Sequence, residues 1–223
     1  MKFIPFLLLV ACSSSSSRTM TELPDGADAA THRPHVVMAI GDSITLGVNG
    51  NVAGASGFTG GYRAPLFAMR PGLVFVGRND SHGLHEGYGG KRTDEIKTIV
   101  DPIIDADQPD TILLIAGTND LAQGVSQSQV TMSIVDLATT FRAHPSVRNV
   151  LVGTIPTLNI PSPGTSRVYN DGLSTAFSGT DIQVVDVCAD VIFPADFGDA
   201  YHPNDGGYAR MAARWATAIE ATP

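Results

Sequence analysis

The chain has 223 residues, with 14 Lys and Arg against 22 Asp and Glu and a formal net charge of -8. That length suits one domain with a sizeable core. An acidic chain without a Lys/Arg-rich run argues against nucleic-acid binding.

Taken in order, the chain opens with Lys2 and an apolar stretch from Phe3 to Ala11. The stretch is too short to span a bilayer, which takes roughly 20 apolar residues. It runs into Leu9-Val10-Ala11-Cys12, which resembles the lipobox of bacterial lipoproteins. The resemblance implies a signal peptide over 1–11 and lipidation of Cys12 as the mature N-terminus. It implies an exported, membrane-anchored lipoprotein that meets the membrane only through its lipid. An ordinary secretory signal cut after a small residue is the alternative. Residues 12–33, opened by Ser13 to Ser17, read as a flexible polar tether. The remaining cysteine, Cys188, lies in an apolar run and reads as a small core residue.

From residue 34 to 223, apolar runs alternate with helix-like segments. His35 to Ile40 predicts the first strand, Tyr62 to Met69 a short helix and Leu73 to Gly77 the second strand. Thr93 to Val100 places Ile96, Ile99 and Val100 on one helix face. Thr111 to Ala116 is apolar on both faces, as a central parallel strand requires. A helix over Ser128 to Phe141, a strand over Val147 to Thr154 and a helix over Arg167 to Phe177 follow. Ile182 to Val187 is the fifth strand, and Gly206 to Ile219 a closing helix with Met211, Trp215 and Ile219 at spacing four. This alternation predicts a three-layer α/β/α sandwich around a five-stranded parallel sheet.

Four polar segments follow strands and should meet at one sheet edge, where open α/β sheets gather reactive groups. Gly41-Asp42-Ser43 lifts Ser43 off the first strand as a candidate nucleophile. Gly87-Tyr88-Gly89-Gly90-Lys91 offers glycine N–H groups that can approach a ligand closely. Gly117-Thr118-Asn119-Asp120 brings the neutral side-chain donor of Asn119. Asp199-Ala200-Tyr201-His202-Pro203 places a carboxylate and an imidazole three residues apart on one loop. Nucleophile, base, orienting carboxylate and oxyanion donors are the parts of a serine acyl hydrolase.

In this order the four segments resemble the SGNH, or GDSL, hydrolase superfamily, over about His35 to Thr217. Its four letters fall on Ser43, Gly90, Asn119 and His202, with Asp199 three residues before the histidine. The resemblance implies a flavodoxin-like fold and a Ser43–His202–Asp199 triad. It implies an oxyanion hole of Ser43, Gly90 and Asn119, Gly89 being the alternative to Gly90, and no cofactor or metal. Gly60-Gly61-Tyr62-Arg63-Ala64-Pro65-Leu66-Phe67, Phe75-Val76-Gly77, His85-Glu86-Gly87-Tyr88-Gly89-Gly90 and His202-Pro203-Asn204-Asp205-Gly206-Gly207-Tyr208 are similar to the acetylxylan-esterase branch, carbohydrate esterase family 3. That implies removal of acetyl or other short acyl groups from a carbohydrate, acetylated xylan being the candidate. Lys91 departs from the aromatic residue, usually Trp, expected at its position. Tyr62 and Arg63 either bind sugar or start a helix. The rival readings are a lipolytic or thioesterase enzyme of the same superfamily and a non-catalytic surface-binding lipoprotein.

No Gly-x-Ser-x-Gly supports an α/β-hydrolase nucleophile elbow. His82-Gly83-Leu84-His85-Glu86 lacks the helix a zinc pair needs, since Gly83 and Gly87 bracket it. Asp105, Asp107 and Asp110 read as a solvated turn.

Overall fold

The structure is a computed structural model that describes residues 34–50, 59–157 and 164–222. Residues 1–33, with Cys12 among them, and residues 51–58 and 158–163 lie outside the described residues. Pro34–Pro223 group as one compact unit.

The five expected strands are present as β1 (His35–Gly41), β2 (Leu73–Val76), β5 (Thr111–Ile115), β6 (Asn149–Gly153) and β7 (Gln183–Val185). They pair in parallel, with β1 between β2 and β5, then β6, then β7. Val37, Met38, Ala39 and Ile40 of β1 are fully buried, as is the whole of β5. Both strands are apolar on both faces because helices cover both sides. Helices α2 (Arg63–Met69) and α7 (Asp205–Glu220) pack together, and α3 (Thr93–Asp107), α5 (Gln127–Arg142) and α6 (Thr165–Ala176) pack in sequence. This is the predicted α/β class with a mostly parallel central sheet.

Among the described residues the sheet has seven strands, not five. Beside β1, one edge position is shared by two short strands. β2 pairs its first half, His35 to Met38, and β4 (Leu84–Gly87) its end, Ile40 and Gly41. Between them the chain leaves the sheet at Gly77, where φ is +145° and a Cβ would lie 2.6 Å from the His85 carbonyl carbon. It then forms β3 (Asn79–Asp80), antiparallel to β4. Strands of two and four residues carry too little alternation to be read from periodicity. Their effect is large, because β4 delivers Gly87–Lys91 to the end of β1.

Helix α3 runs seven residues past the expected end, through Pro102 to Asp107. An interior proline costs on the order of 3 kcal/mol by removing a hydrogen bond and crowding the previous turn. Here Ile103 and Ile104 continue the buried face begun by Ile96 and Val100. Burying each such side chain contributes about 1.5–3 kcal/mol, which offsets the break. Asp105 and Asp107 therefore sit on the last turn of a helix and not on a solvated turn.

Candidate active site

Ser43 opens α1 (Ser43–Leu46), a single turn at the carboxyl end of β1. Asp42 caps this turn, its Oδ1 accepting from the Ile44 N–H at 2.9 Å. Gly41 sits so close to β5 that a Cβ would meet the Ile115 carbonyl oxygen at 2.0 Å. The strand end can therefore press against its neighbour only as glycine. The nucleophile is thus presented by a short, pinned turn.

His202 and Asp199 arrive from the loop before α7. Asp199 Oδ1 accepts from the N–H groups of Tyr201 and His202, both at 2.7 Å. Gly198 closes the loop by donating its N–H to the His202 carbonyl at 2.9 Å. Oδ2 is then left facing His202 Nδ1 at 2.8 Å. His202 Nε2 lies 2.9 Å from Ser43 Oγ. Spacing of three in sequence thus becomes a relay, because one carboxylate oxygen folds the loop and the other orients the ring. Burial works against ionising Asp199, but the bonds from His202 and from the Tyr201 and His202 N–H groups outweigh it. They hold its pKa below the usual carboxylate value.

The two remaining segments are tied to the first. The Tyr88 N–H donates to the Gly41 carbonyl at 2.8 Å. Lys91 N–H donates back to the Tyr88 carbonyl at 3.2 Å, closing a tight turn with Gly90 at φ +77°. That is the third position of a type II turn, where glycine carries no strain. The ring bond of the turn uses the Lys91 N–H and leaves the Gly89–Gly90 peptide out of it. Gly89 faces the nucleophile: a Cβ there would lie 3.9 Å from Ser43 Cβ. Asn119, in α4 (Thr118–Ala122), donates one amide hydrogen to the Lys91 carbonyl at 2.9 Å. Its Nδ2 carries a second hydrogen. One bond therefore fixes the amide and joins the third segment to the second.

Of the two readings of Tyr62 and Arg63, sugar binding or the start of a helix, the structure shows the second: Arg63 opens α2 and Tyr62 precedes it. Both are buried, at 0% and 1% exposure. Arg63 spends its guanidinium on five backbone carbonyls: Thr45, Leu46, Ser81, His82 and Gly83, at 2.8–3.3 Å. It bolts the nucleophile turn to the β3–β4 hairpin, and burial lowers its pKa to about 10. The Tyr62 hydroxyl lies 3.2 Å from Thr45 Oγ1, and its ring packs against Trp215 with centroids 6.1 Å apart. The sequence signal for this role is Gly60-Gly61 just ahead, both with left-handed φ. Those two residues turn the chain so that the pair points inward.

His85 and Glu86 are also structural. His85 is buried, its Nδ1 accepting from the Gly87 N–H at 2.9 Å and its Nε2 lying 2.9 Å from Ser81 Oγ. Burial, with the Arg63 charge nearby, lowers its pKa to about 3, so the ring is neutral. Glu86, also buried, accepts from the Arg78 N–H and the Tyr88 hydroxyl. The pair braces the turn that carries Gly90.

Asp42 was missed by reading the sequence for roles at the surface of the site. It is fully buried, and its Oδ2 has no hydrogen-bond partner among the described residues. Beside it lies the Thr118 hydroxyl, close enough to favour the carboxylate but outside hydrogen-bonding geometry. Burial pushes the Asp42 carboxyl up to about 6, against the Ile44 N–H and the nearby His202. The only sequence signal is its place directly before Ser43.

Residues 39–210 match the family model described as "GDSL-like Lipase/Acylhydrolase family". A multidomain esterase of Ruminococcus flavefaciens is 25% identical over 256 aligned positions, covering 96% of this chain. The chain spans about a third of that protein, 32% of its length. A carbohydrate esterase family 3 structure from Talaromyces cellulolyticus superposes with a TM-score of 0.67 at 22% identity, covering 83% of this chain and 96% of the other. The family 3 carbohydrate esterase of Clostridium thermocellum does so with a TM-score of 0.68 at 22% identity, covering 83% and 95%. With the family model matched over most of its length and a serine, histidine and aspartate in hydrogen-bonded series at the sheet edge, the chain belongs to the GDSL-like lipase/acylhydrolase family.

Proposed function

We propose that this protein is a serine esterase that removes acetyl or other short acyl groups from a carbohydrate, acetylated xylan being the candidate, through an acyl-enzyme intermediate. The observation that carries the mechanism is the unbroken series Asp199 Oδ2, His202, Ser43 Oγ, with both links under 3 Å. Asp199 holds the proton of His202 on Nδ1, so Nε2 accepts the Ser43 proton as Oγ attacks the ester carbonyl. The N–H groups of Ser43 and Gly90 and the free hydrogen of the Asn119 amide receive the developing oxyanion. Collapse of the tetrahedral centre breaks the bond to the sugar oxygen, which takes the proton from His202. Water, deprotonated by the same imidazole, then attacks the acyl-serine and releases the acid.

The choice of acyl group rests on the segments around Ser43. Val48-Asn49-Gly50, Tyr88-Gly89-Gly90-Lys91 and Asp199-Ala200-Tyr201-His202 are short and largely polar. An acyl tunnel would recover up to about 0.8 kcal/mol for each methylene it buries, and these segments offer little apolar surface for that. The family 3 carbohydrate esterases that share this fold support a sugar as the alcohol. The test compares kcat/KM for p-nitrophenyl acetate and octanoate beside acetate release from acetylated xylan. Acetyl preference with polymer deacetylation is expected. Faster octanoate turnover with no acetate released would move the assignment to a lipolytic or thioesterase activity. We also propose that Cys12 carries a lipid, so Cys12→Ala should shift the exported protein from the detergent phase to the aqueous phase.

A further inference from the structure

We propose that Gly50 is a positioning residue for the reaction, the backbone wall that holds the Asp199 carboxylate against His202. The inference rests on the triad reading above. A Cβ built on Gly50 would lie 2.4 Å from both Cγ and Oδ2 of Asp199 and 2.6 Å from its Cβ. Oδ2 is the oxygen that meets His202 Nδ1. Real Cβ contacts of that length essentially never occur, so either the loop or the carboxylate would have to move.

The carboxylate has nowhere to retreat without losing its function. Its Oδ1 is already committed to the Tyr201 and His202 N–H groups, and its Oδ2 to the imidazole. The glycine side is equally fixed. Val48 N–H donates to the Ser43 carbonyl at 3.0 Å, the Val48 carbonyl accepts from the Tyr208 hydroxyl at 2.7 Å, and Asn49 Nδ2 donates to Asp205 at 2.8 Å. Val48-Asn49-Gly50 is thus a strap running from the nucleophile turn to the first turns of α7, with the catalytic carboxylate pressed beneath its end. Gly50 does not owe its place to φ, which lies outside the left-handed region. Glycine is needed there because of what faces it, so alanine tests the contact and not the backbone.

The experiment is a double-mutant cycle on the full chain, with Gly50→Ala and Asp199→Gly, read as kcat and KM on p-nitrophenyl acetate and as melting temperature. Asp199→Gly removes all three atoms that the new methyl would strike. Gly50→Ala alone should lower kcat roughly 100-fold, the usual cost of about 1 Å of misplacement, with KM within about twofold. In the Asp199→Gly background, already slower by roughly 10,000-fold, the same alanine should change neither kcat nor melting temperature. If Gly50→Ala alone fails to fold, the Gly50→Ala/Asp199→Gly double variant must fold like Asp199→Gly. Wild-type kcat in Gly50→Ala, or an equal loss from the alanine in both backgrounds, overturns the proposal. Near wild-type kcat in Asp199→Gly would instead overturn the triad itself.

Discussion

Replacing Asp42 by Asn should stabilise the protein while slowing it. The carboxyl is fully buried with Oδ2 unpartnered, and its pKa rises from 3.8 to about 6. The shift of roughly two units at about 1.4 kcal/mol each means that ionising Asp42 costs the folded state about 3 kcal/mol. The sign follows from linkage. A carboxyl with a raised folded pKa binds its proton more tightly in the folded state, so the cost is absent below pH 3.8. It grows as pH rises from about 4 to about 6 and is constant above that. Asn is isosteric, its Oδ1 can keep accepting from the Ile44 N–H, and its amide can donate to the neighbouring Thr118 hydroxyl. Urea unfolding of wild type and Asp42→Asn at pH 4, 5, 6 and 8 measures the difference. The variant should gain with pH and level off above about pH 7, with 3 kcal/mol as the ceiling. Turnover should fall, because the negative charge of Asp42 lies close enough to the imidazole to attract the positive charge that attack creates there. A stability difference that does not change between pH 4 and 8 would refute the argument from burial.

Ser43→Ala and His202→Ala should each lower kcat on the order of a million-fold without changing the melting temperature by more than a few degrees, checked by esterase assay and circular dichroism. Asn119→Ala should lower kcat roughly 100- to 1,000-fold with a much smaller change in KM, since the donor meets charge that develops in the transition state. Both ring nitrogens of His144 face carboxylates, Asp101 at 2.9 Å and Asp105 at 2.7 Å, and these bonds outweigh burial to raise its pKa above 6.5. Its contribution should therefore be complete below about pH 6.5 and lost as pH rises through the raised value. The melting-temperature gap between wild type and His144→Gln should be larger at pH 5.5 than at pH 9.

The strands and helices that could be read from sequence were those whose burial repeats. β1 and β5 are apolar on every residue that faces a helix layer, and α5 and α7 bury one stripe each. β3, β4, α1 and α4 have two to five residues and lie in polar or glycine-rich segments, without the continuous apolar run that marks the equally short β2 and β5. Pro102 hid the end of α3 because local propensity and tertiary burial disagree there, and burial won. The catalytic residues were legible because chemistry restricts them to a few residue types at the ends of strands. Their supports were not, because a support is defined by what it faces. Arg63 looks like a ligand-binding cation until its five carbonyl partners are seen, all supplied by loops distant in sequence or packed beside it.

The four polar segments form one object because hydrogen bonds join them. Tyr88 N–H reaches the Gly41 carbonyl, the Asn119 amide reaches the Lys91 carbonyl, and His202 meets Ser43, while Val48 and Asn49 tie the nucleophile turn to α7. A side chain that only orients itself through a backbone atom can be moved by shifting that backbone, so catalysis here depends on residues that never touch substrate. The same linkage explains why two uncomfortable groups are kept in the interior. The buried Arg63 cation neutralises itself on carbonyls of the two loops it joins. The buried Asp42 carboxylate caps the nucleophile turn and lends its field to His202. Each weakens the fold by the cost of desolvating a charge and strengthens the site by fixing a turn, which is the trade expected where a rigid scaffold must hold a reactive serine in one geometry.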